Sequence, residues 1–202
     1  TRSGRRWSVV ATRSRFCDGS FQYTLSLGDA RMKAMDTGKM MDLLKELAKG
    51  VMEELGTVEN ALVVFDRENQ VRFEVLPLAG PEYKALIESY CVHLAHDPDV
   101  IALGNICEAW MVKSEHDVSG MTDAEFRKEI KKLGRASQHP DRIEVVVVSL
   151  STVKTTRVAT APLVRNGRRK PTLGDWTEAD ACAEGRFANY WRKAAVLQGR
   201  AN

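Results

Sequence analysis

Residues 141–153 (DRIEVVVVSLSTV) constrain the fold of this chain more than any other segment. They include four consecutive valines, and β-branched side chains favour extended backbone over helix. A short continuous apolar run between turn-forming residues is typical of a strand that is buried on both faces. We therefore predict that this segment is the central strand of a sheet and that residues 104–113 pair with it.

Apolar residues upstream of this strand recur with the periods of helices and of a hairpin. The pattern predicts a first helix over Thr37–Leu55, ended by Gly56, and a second helix that opens at Pro81 and ends before Pro98. Between them, residues 60–66 and 71–76 are predicted strands joined by a short polar link. The predicted buried stripes are Met40, Leu43, Leu44, Leu47, Val51 and Leu55 in the first helix, and Tyr83, Leu86, Ile87, Tyr90, Cys91 and Leu94 in the second.

Two further helices and one more strand are predicted in the second half of the chain. Thr122 and Glu125 form a capping-box pattern that predicts an inserted helix over about residues 121–134. Residues 154–164 alternate weakly and predict a strand that ends at a tight turn. A second cap pattern beginning at Thr177 predicts a terminal helix, which Phe187 and Trp191 are expected to dock on the sheet.

The element order is α-β-β-α-β-(α)-β-β-α. Because short links join neighbouring strands, we predict an α+β fold with a mostly antiparallel five-stranded sheet packed by helices, forming one domain over residues 37–202. The order resembles roadblock- and profilin-like α/β sandwiches over roughly residues 37–165. This likeness is topological and implies no function.

Composition favours a globular protein with ordinary surface chemistry. The chain has 202 residues, of which 44% are hydrophobic and 28% charged, so it can bury a core. No apolar run approaches the roughly 20 residues that cross a bilayer, and no signal-peptide pattern opens the sequence, so we predict a cytoplasmic protein without a membrane partner. The four cysteines form no C-x-x-C pair and are predicted to be reduced, and no cofactor is expected.

The excess positive charge lies at the N-terminus. Residues 1–31 hold six arginines against Asp18 and Asp29, which leaves 24 basic and 25 acidic side chains in the remainder. We predict that residues 1–36 are a basic leader that is disordered or non-native, with translation starting at Met32 or Met35. The alternative is a basic arm that binds nucleic acid or anionic lipid.

The most suggestive polar set combines Glu108 with His139, Asp141 and Glu144 on the predicted neighbouring strand. Carboxylates and an imidazole on adjacent strands can bind a divalent metal or divide acid and base roles, so these four are the candidate catalytic residues. In the alternative interpretation, His139 and Asp141 form a hydrogen-bonded turn, and Arg142 pairs with Glu108 or Glu144. No other metal site is predicted.

A basic loop is the candidate nucleic-acid-binding site. Arg165, Arg168, Arg169 and Lys170 lie close together in sequence, and Trp176 follows them. Guanidinium groups can hold phosphates and an exposed ring can stack on a base. Four charges in a turn are also common on ordinary protein surfaces.

Three short patches carry a family resemblance. Residues 108–111 (EAWM), 139–144 (HPDRIE) and 185–189 (GRFAN) occur in the same order in an uncharacterised group of bacterial and phage-associated proteins, which the chain resembles over roughly residues 40–190. The resemblance implies a bacterial or mobile-element protein of the cytoplasm. It implies no catalytic residues, because that group has no established activity.

The sequence contains no phosphate-binding loop, no dinucleotide fingerprint and no nucleophile elbow. We therefore expect a small binding or regulatory module that acts through a protein partner or through self-association. The first alternative is a metal-assisted hydrolase that uses Glu108, His139, Asp141 and Glu144. The second is a nucleic-acid-binding accessory protein that uses the basic loop.

Overall fold

The structure is a computed structural model that describes residues 9–15, 21–27, 35–68, 70–76, 81–112, 122, 124–125, 128, 131–132, 134, 136–167, 169–179 and 190–197. The helices are α1 (Thr37–Leu55), α2 (Pro81–His96) and α3 (Tyr190–Leu197), with a short 3-10 turn at Ala136–Gln138. The strands are β1 (Val9–Arg15), β2 (Phe21–Leu27), β3 (Ala61–Asp66), β4 (Val71–Val75), β5 (Val100–Val112), β6 (Arg142–Thr152), β7 (Thr156–Val164), β8 (Thr172–Leu173) and β9 (Thr177–Ala179).

Every strand pair in the described chain is antiparallel, and the strand order is β1-β2-β4-β3-β5-β6-β7-β8 with β9 also on β7. The predicted mixed α and β fold with an antiparallel sheet is therefore confirmed. The predicted count of five strands is wrong, although all five predicted strands are present as the block β4-β3-β5-β6-β7. The described residues add β1 and β2 at one edge, and β8 and β9 at the other.

Strand β6 occupies the interior position that its valines predict. It pairs with β5 over its whole length and with β7 over residues 145–151. Val146, Val148 and Leu150 join the core cluster beneath α1. On the opposite face Val145 is fully buried and Val147 is half-buried, so burial on that face is less complete.

Helix α1 has the predicted bounds and packs on one face of the sheet. The Asp36 carboxylate accepts a hydrogen bond from the Lys39 backbone N–H, and Gly56 ends the helix with φ 75°. The predicted buried stripe is partly wrong, because Leu55 is 63% exposed. The fully or almost fully buried residues of the helix are Met40, Met41, Leu44, Ala48 and Met52.

Close packing of α1 on the sheet depends on Gly104. A Cβ at this position would lie 2.6 Å from one methyl carbon of Leu44 and 2.8 Å from the other. The absent side chain therefore lets the helix approach β5 at this point.

Helices α2 and α3 cover the opposite face. Their core cluster contains Leu62, Val64, Ile87, Cys91, Val92, Leu94, Ala95, Val100, Leu103, Tyr190 and Ala194. The predicted α2 stripe is confirmed at Ile87, Cys91 and Leu94, but Leu86 is 64% exposed and Tyr90 is also exposed. The side chain of Tyr83 is outside the described part of the chain.

The C-terminal region differs from its prediction. Thr177–Ala179 are strand β9 on the edge of β7 instead of a helix cap. Glu178 contributes to this placement, because it forms ion pairs with Lys45 of α1 and Arg157 of β7. Trp191 of α3 packs against the core as expected, whereas Phe187 lies outside the described residues.

The inserted helix is described only in part. Ala124, Glu125, Lys128, Lys131 and Lys132 have helical backbone, whereas Thr122 and Gly134 are described without it. Glu125 accepts hydrogen bonds from the backbone and hydroxyl of Thr122, which confirms the predicted cap. The remaining positions of residues 121–134 lie outside the described chain.

In the N-terminal segment, the described parts are β1, β2 and the two residues before α1, and β2 pairs with β4. The rest of residues 1–36 lies outside the description, so its predicted disorder or non-native origin stays a prediction. Within the described chain, no helix is long and apolar enough to cross a membrane.

Candidate functional site

The candidate site lies where β5 and β6 extend beyond their neighbours. The pairing of β5 with β3 ends at Ile106, and that of β6 with β7 begins at Val145. Past these points the two strands pair with each other as far as Val112 and Arg142. We call residues 110–112 and 142–144 the β5–β6 ribbon.

Arg165 joins two of the three carboxylates predicted to be catalytic, Glu108 and Glu144. Its Nε lies 2.6 Å from Glu144 Oε2, and its Nη2 lies 2.7 Å from Oε1, a bidentate ion pair. Arg165 Nη2 also lies 3.9 Å from Glu108 Oε2. The hydrogen bonds from Arg165 hold the pKa of Glu144 below its usual range.

Glu108 connects β5 to the end of α1. Its Oε1 accepts hydrogen bonds from the backbone N–H of Val58 at 2.7 Å and from the Thr57 hydroxyl at 3.0 Å. Both donors belong to the short link between α1 and β3. The carboxylate therefore fixes this link against the sheet.

Lys170 stabilises the C-terminus of α1. Its Nζ donates hydrogen bonds to the carbonyl oxygens of Glu54, at 2.6 Å, and Glu53, at 3.3 Å. These carbonyls carry the partial negative charge of the helix end and have no partner inside the helix. The basic loop is thus attached to α1 at one end and to Glu144 at the other.

His139 and Asp141 form the predicted hydrogen-bonded turn. The His139 Nδ1 accepts a hydrogen bond from the backbone N–H of Asp141 at 3.2 Å, and it lies 3.9 Å from Asp141 Oδ2. The carbonyl of His139 accepts from the backbone N–H and the guanidinium of Arg142. The turn therefore positions the first residue of β6.

The four predicted catalytic residues form two separate arrangements. Glu108 and Glu144 meet through Arg165, and His139 contacts Asp141 in the turn. Among the described residues, no three His, Cys, Asp or Glu side chains are grouped so that they could hold a metal ion.

The prediction that Arg142 pairs with Glu108 or Glu144 is wrong, because Arg165 occupies that position. The Arg142 guanidinium instead lies 4.9 Å from the centre of the Trp110 ring. Trp110 is 43% exposed, so this stacked pair is accessible at the surface of the ribbon. The sequence patterns assigned Trp110 to no site, although its position two residues after Glu108 places both on one face of the strand.

The four predicted nucleic-acid-binding residues are divided among different environments. Arg165, Arg169 and Lys170 are all exposed, but Arg165 and Lys170 also make the intramolecular contacts described above. Arg168 lies outside the described residues. Trp176, the ring expected near them, is half-buried against the core beneath α1.

Two cysteines and a tyrosine lie on the opposite face of the sheet. Burial raises the pKa of Cys91 to about 11, and it has the same effect at Cys107. The thiolate is the nucleophilic form, so neither position favours a reactive cysteine. Burial also raises the pKa of Tyr190, whose hydroxyl lies near Cys91 but has no hydrogen-bond partner of normal geometry in the described chain.

Comparisons with family models, curated proteins and solved structures found no match to this chain. The resemblance to bacterial and phage-associated proteins stays a prediction. Its third patch, residues 185–189, lies outside the described residues.

Proposed function

We propose that this protein is a small binding module that acts through self-association or through a protein partner. The observation that carries the proposal is the exposed pair of Trp110 and Arg142 on the β5–β6 ribbon. Tryptophan and arginine are the residues most enriched among those that dominate binding energy at protein interfaces. Here they are held together on two paired strands, β5 and β6, which keeps the surface organised before binding.

The contacts of the polar residues also support a binding role. A general base at neutral pH needs a pKa near 7, whereas the ion pair with Arg165 moves the pKa of Glu144 in the opposite direction. Glu108 holds the α1–β3 link, and His139 holds the turn before β6. These contacts favour a structural role that keeps the ribbon in place.

The three sequence patches lead us to propose a bacterial or phage origin and a cytoplasmic location. Expression in a bacterial host followed by fractionation tests the location. Recovery of the protein in the membrane fraction would contradict it.

The binding role is tested by affinity capture and light scattering with matched variants. We expect wild-type protein to self-associate or to recover a specific protein that the Trp110→Ala, Arg142→Ala double variant does not recover. Leu86→Ala is the control, because Leu86 is also exposed but lies on α2. A chain that is monomeric at all concentrations and recovers no Trp110-dependent partner would contradict the proposal.

Two measurements separate this proposal from the hydrolase and nucleic-acid hypotheses. Saturable binding of Zn²⁺ or Mn²⁺ in calorimetry, lost in Glu108→Gln, would favour the hydrolase. A salt-dependent gel shift that is lost when Arg165, Arg168 and Arg169 are changed to alanine would favour nucleic-acid binding.

A further inference from the structure

Beside Trp110 the outer edge of β5 has no strand partner among the described residues. Pairing with β3 ends at Ile106, and no other described strand pairs with residues 108–112 on that side. Unpaired backbone N–H and C=O groups at such an edge can pair with another chain. Proline and lysine, which commonly protect exposed edges, are absent from these five residues.

We propose that two copies of this chain pair along this edge as antiparallel strands, with the two-fold axis passing through Trp110. This inference rests on the proposed binding function and names the second copy as the partner. The register places Trp110 opposite Trp110 of the second copy, Glu108 opposite Val112, and Ala109 opposite Met111.

The side chains are self-complementary in this register. Two indole rings become a cross-strand pair, a favourable arrangement between neighbouring strands, and no like charges face each other. A two-fold interface uses the same residues on both copies, which is the commonest symmetry of protein dimers. Pairing would also cover part of the exposed surface of Trp110.

Charge complementarity favours a second copy as the occupant. Arg142 lies opposite Val112 within one chain and has no carboxylate partner among the described residues. In the dimer, Val112 lies between Arg142 and Glu108 of the second copy, so the three side chains form one row across the sheet. The backbones of Arg142 and that Glu108 are then two strand spacings, or about 9.6 Å, apart. A long arginine side chain extends over most of that distance. Glu108 Oε1 already accepts hydrogen bonds from the α1–β3 link, so each copy offers a second cation to the other copy's Glu108 Oε2, which lies 3.9 Å from Arg165 of its own chain.

The paired edge is short, so the dimer should be weak. Five residues on each copy make an interface well below the roughly 1,600 Å² of standard stable complexes. We therefore expect a monomer–dimer equilibrium that depends on concentration.

Analytical ultracentrifugation between about 1 and 500 µM tests the equilibrium, a range suited to an interface of this small size. We expect Trp110→Lys to weaken dimerisation by at least about tenfold, because it removes the central aromatic residue and places like charges opposite each other. Leu86→Lys adds the same charge on α2 and should leave the equilibrium unchanged. Circular dichroism and thermal unfolding of each variant show whether it remains folded.

Disulfide formation tests the register independently of any loss of stability. Directly opposite Cβ atoms lie about 4.5–5.5 Å apart, near the range of a disulfide, so Trp110→Cys should form an intermolecular disulfide between the two substituted positions on mild oxidation. Met111→Cys should form none between its substituted positions, since they lie diagonally at about 7–8 Å. Peptide mass mapping distinguishes these bonds from those of the native cysteines.

The outcomes distinguish this inference from the proposed function. Dimerisation that Trp110→Lys leaves unchanged, without a disulfide at position 110, would overturn the edge pairing and leave self-association standing. A monomer at all concentrations without the disulfide would overturn both the pairing and self-association. Capture of another protein through Trp110 by a strictly monomeric chain would also overturn the pairing while supporting the binding function.

Discussion

Beneath α1 the sheet is covered by side chains with no exposed surface, such as Met41 and Leu44, whereas beyond Gly56 the same face carries Glu108, Glu144 and the accessible Trp110. The first region is held by apolar burial and close packing. The second is held by ion pairs and hydrogen bonds that cross from the basic loop to α1 and β6.

This difference means that one region dominates the stability of the domain, whereas the other carries the proposed binding residues. Burial of apolar area supplies most of the free energy of folding, so the core beneath α1 should dominate the stability of the domain. Exposed ion pairs contribute little, but they fix the position of the strands that carry Trp110 and Arg142. Substitutions beneath α1 should therefore change the free energy of unfolding strongly, whereas those around the ribbon should change it less and act chiefly on binding.

The largest expected effect is that of Leu44→Ala. Leu44 has no exposed surface, so the substitution should lower the free energy of unfolding by about 2–5 kcal/mol through lost burial and a residual cavity. Chemical denaturation measures the change. Leu55→Ala, on the exposed end of the same helix, should change it by less than about 0.5 kcal/mol. Equal losses in the two variants would contradict the observed orientation of α1.

Gly104→Ala should have the next largest effect. The added Cβ would lie 2.6 Å from a methyl carbon of Leu44, so overpacking should lower the free energy of unfolding by about 1–3 kcal/mol. The loss should shrink in the Leu44→Ala background, where the clashing atoms are absent, and a double-mutant cycle measures this coupling. Gly50→Ala is the control, because nothing lies within 4 Å of its added Cβ, and it should stabilise the helix. Additive effects of the two core substitutions would refute the close contact.

Lys170→Met tests the attachment of the basic loop to α1. The variant keeps much of the apolar side chain but loses the hydrogen bonds to the carbonyls of Glu53 and Glu54. We therefore expect the free energy of unfolding, measured by thermal denaturation, to fall by about 0.5–1 kcal/mol. Lys154→Met, in the exposed turn after β6, should have a smaller effect. A free energy of unfolding in Lys170→Met equal to that of wild type would contradict the stabilising role of these hydrogen bonds.

The smallest expected effect is the pH dependence from Glu144. Its folded pKa is below the unfolded value of about 4.3, so its contribution to stability is fully present above that pH and is lost as pH falls through the folded pKa. Glu144→Gln should therefore reduce the slope of stability against pH in the acid range. Glu178, whose pKa is also held low, chiefly by Lys45, should retain part of the slope. An acid slope identical to that of wild type would contradict the role of Glu144.

Several parts of the fold were predictable because their signals are local. The four valines predicted an interior strand, Gly56 marked the end of α1, and the Thr122 and Glu125 pair predicted a helix cap. Each of these depends on residues a few positions apart. Backbone preference and short-range hydrogen bonding are properties that a sequence displays directly.

Contacts between distant elements were not predictable in the same way. The sequence indicated that acidic residues on β5 and β6 would lie together, but it assigned the neutralising charge to Arg142. The observed ion pair joins Glu144 to Arg165, 21 residues apart. This pair follows from the strand register of β6 and β7, which brings the end of β7 beside the start of β6.

By itself, the sequence determined the class of most elements, the bounds of α1 and the interior position of β6. Tertiary structure alone decided that Leu55 at the end of α1 stays exposed, which arginine neutralises Glu144, and that Trp110 remains accessible on the ribbon. The physical reason is that periodicity shows which residues are apolar, whereas burial and ion pairing depend on which surface the folded chain places against them.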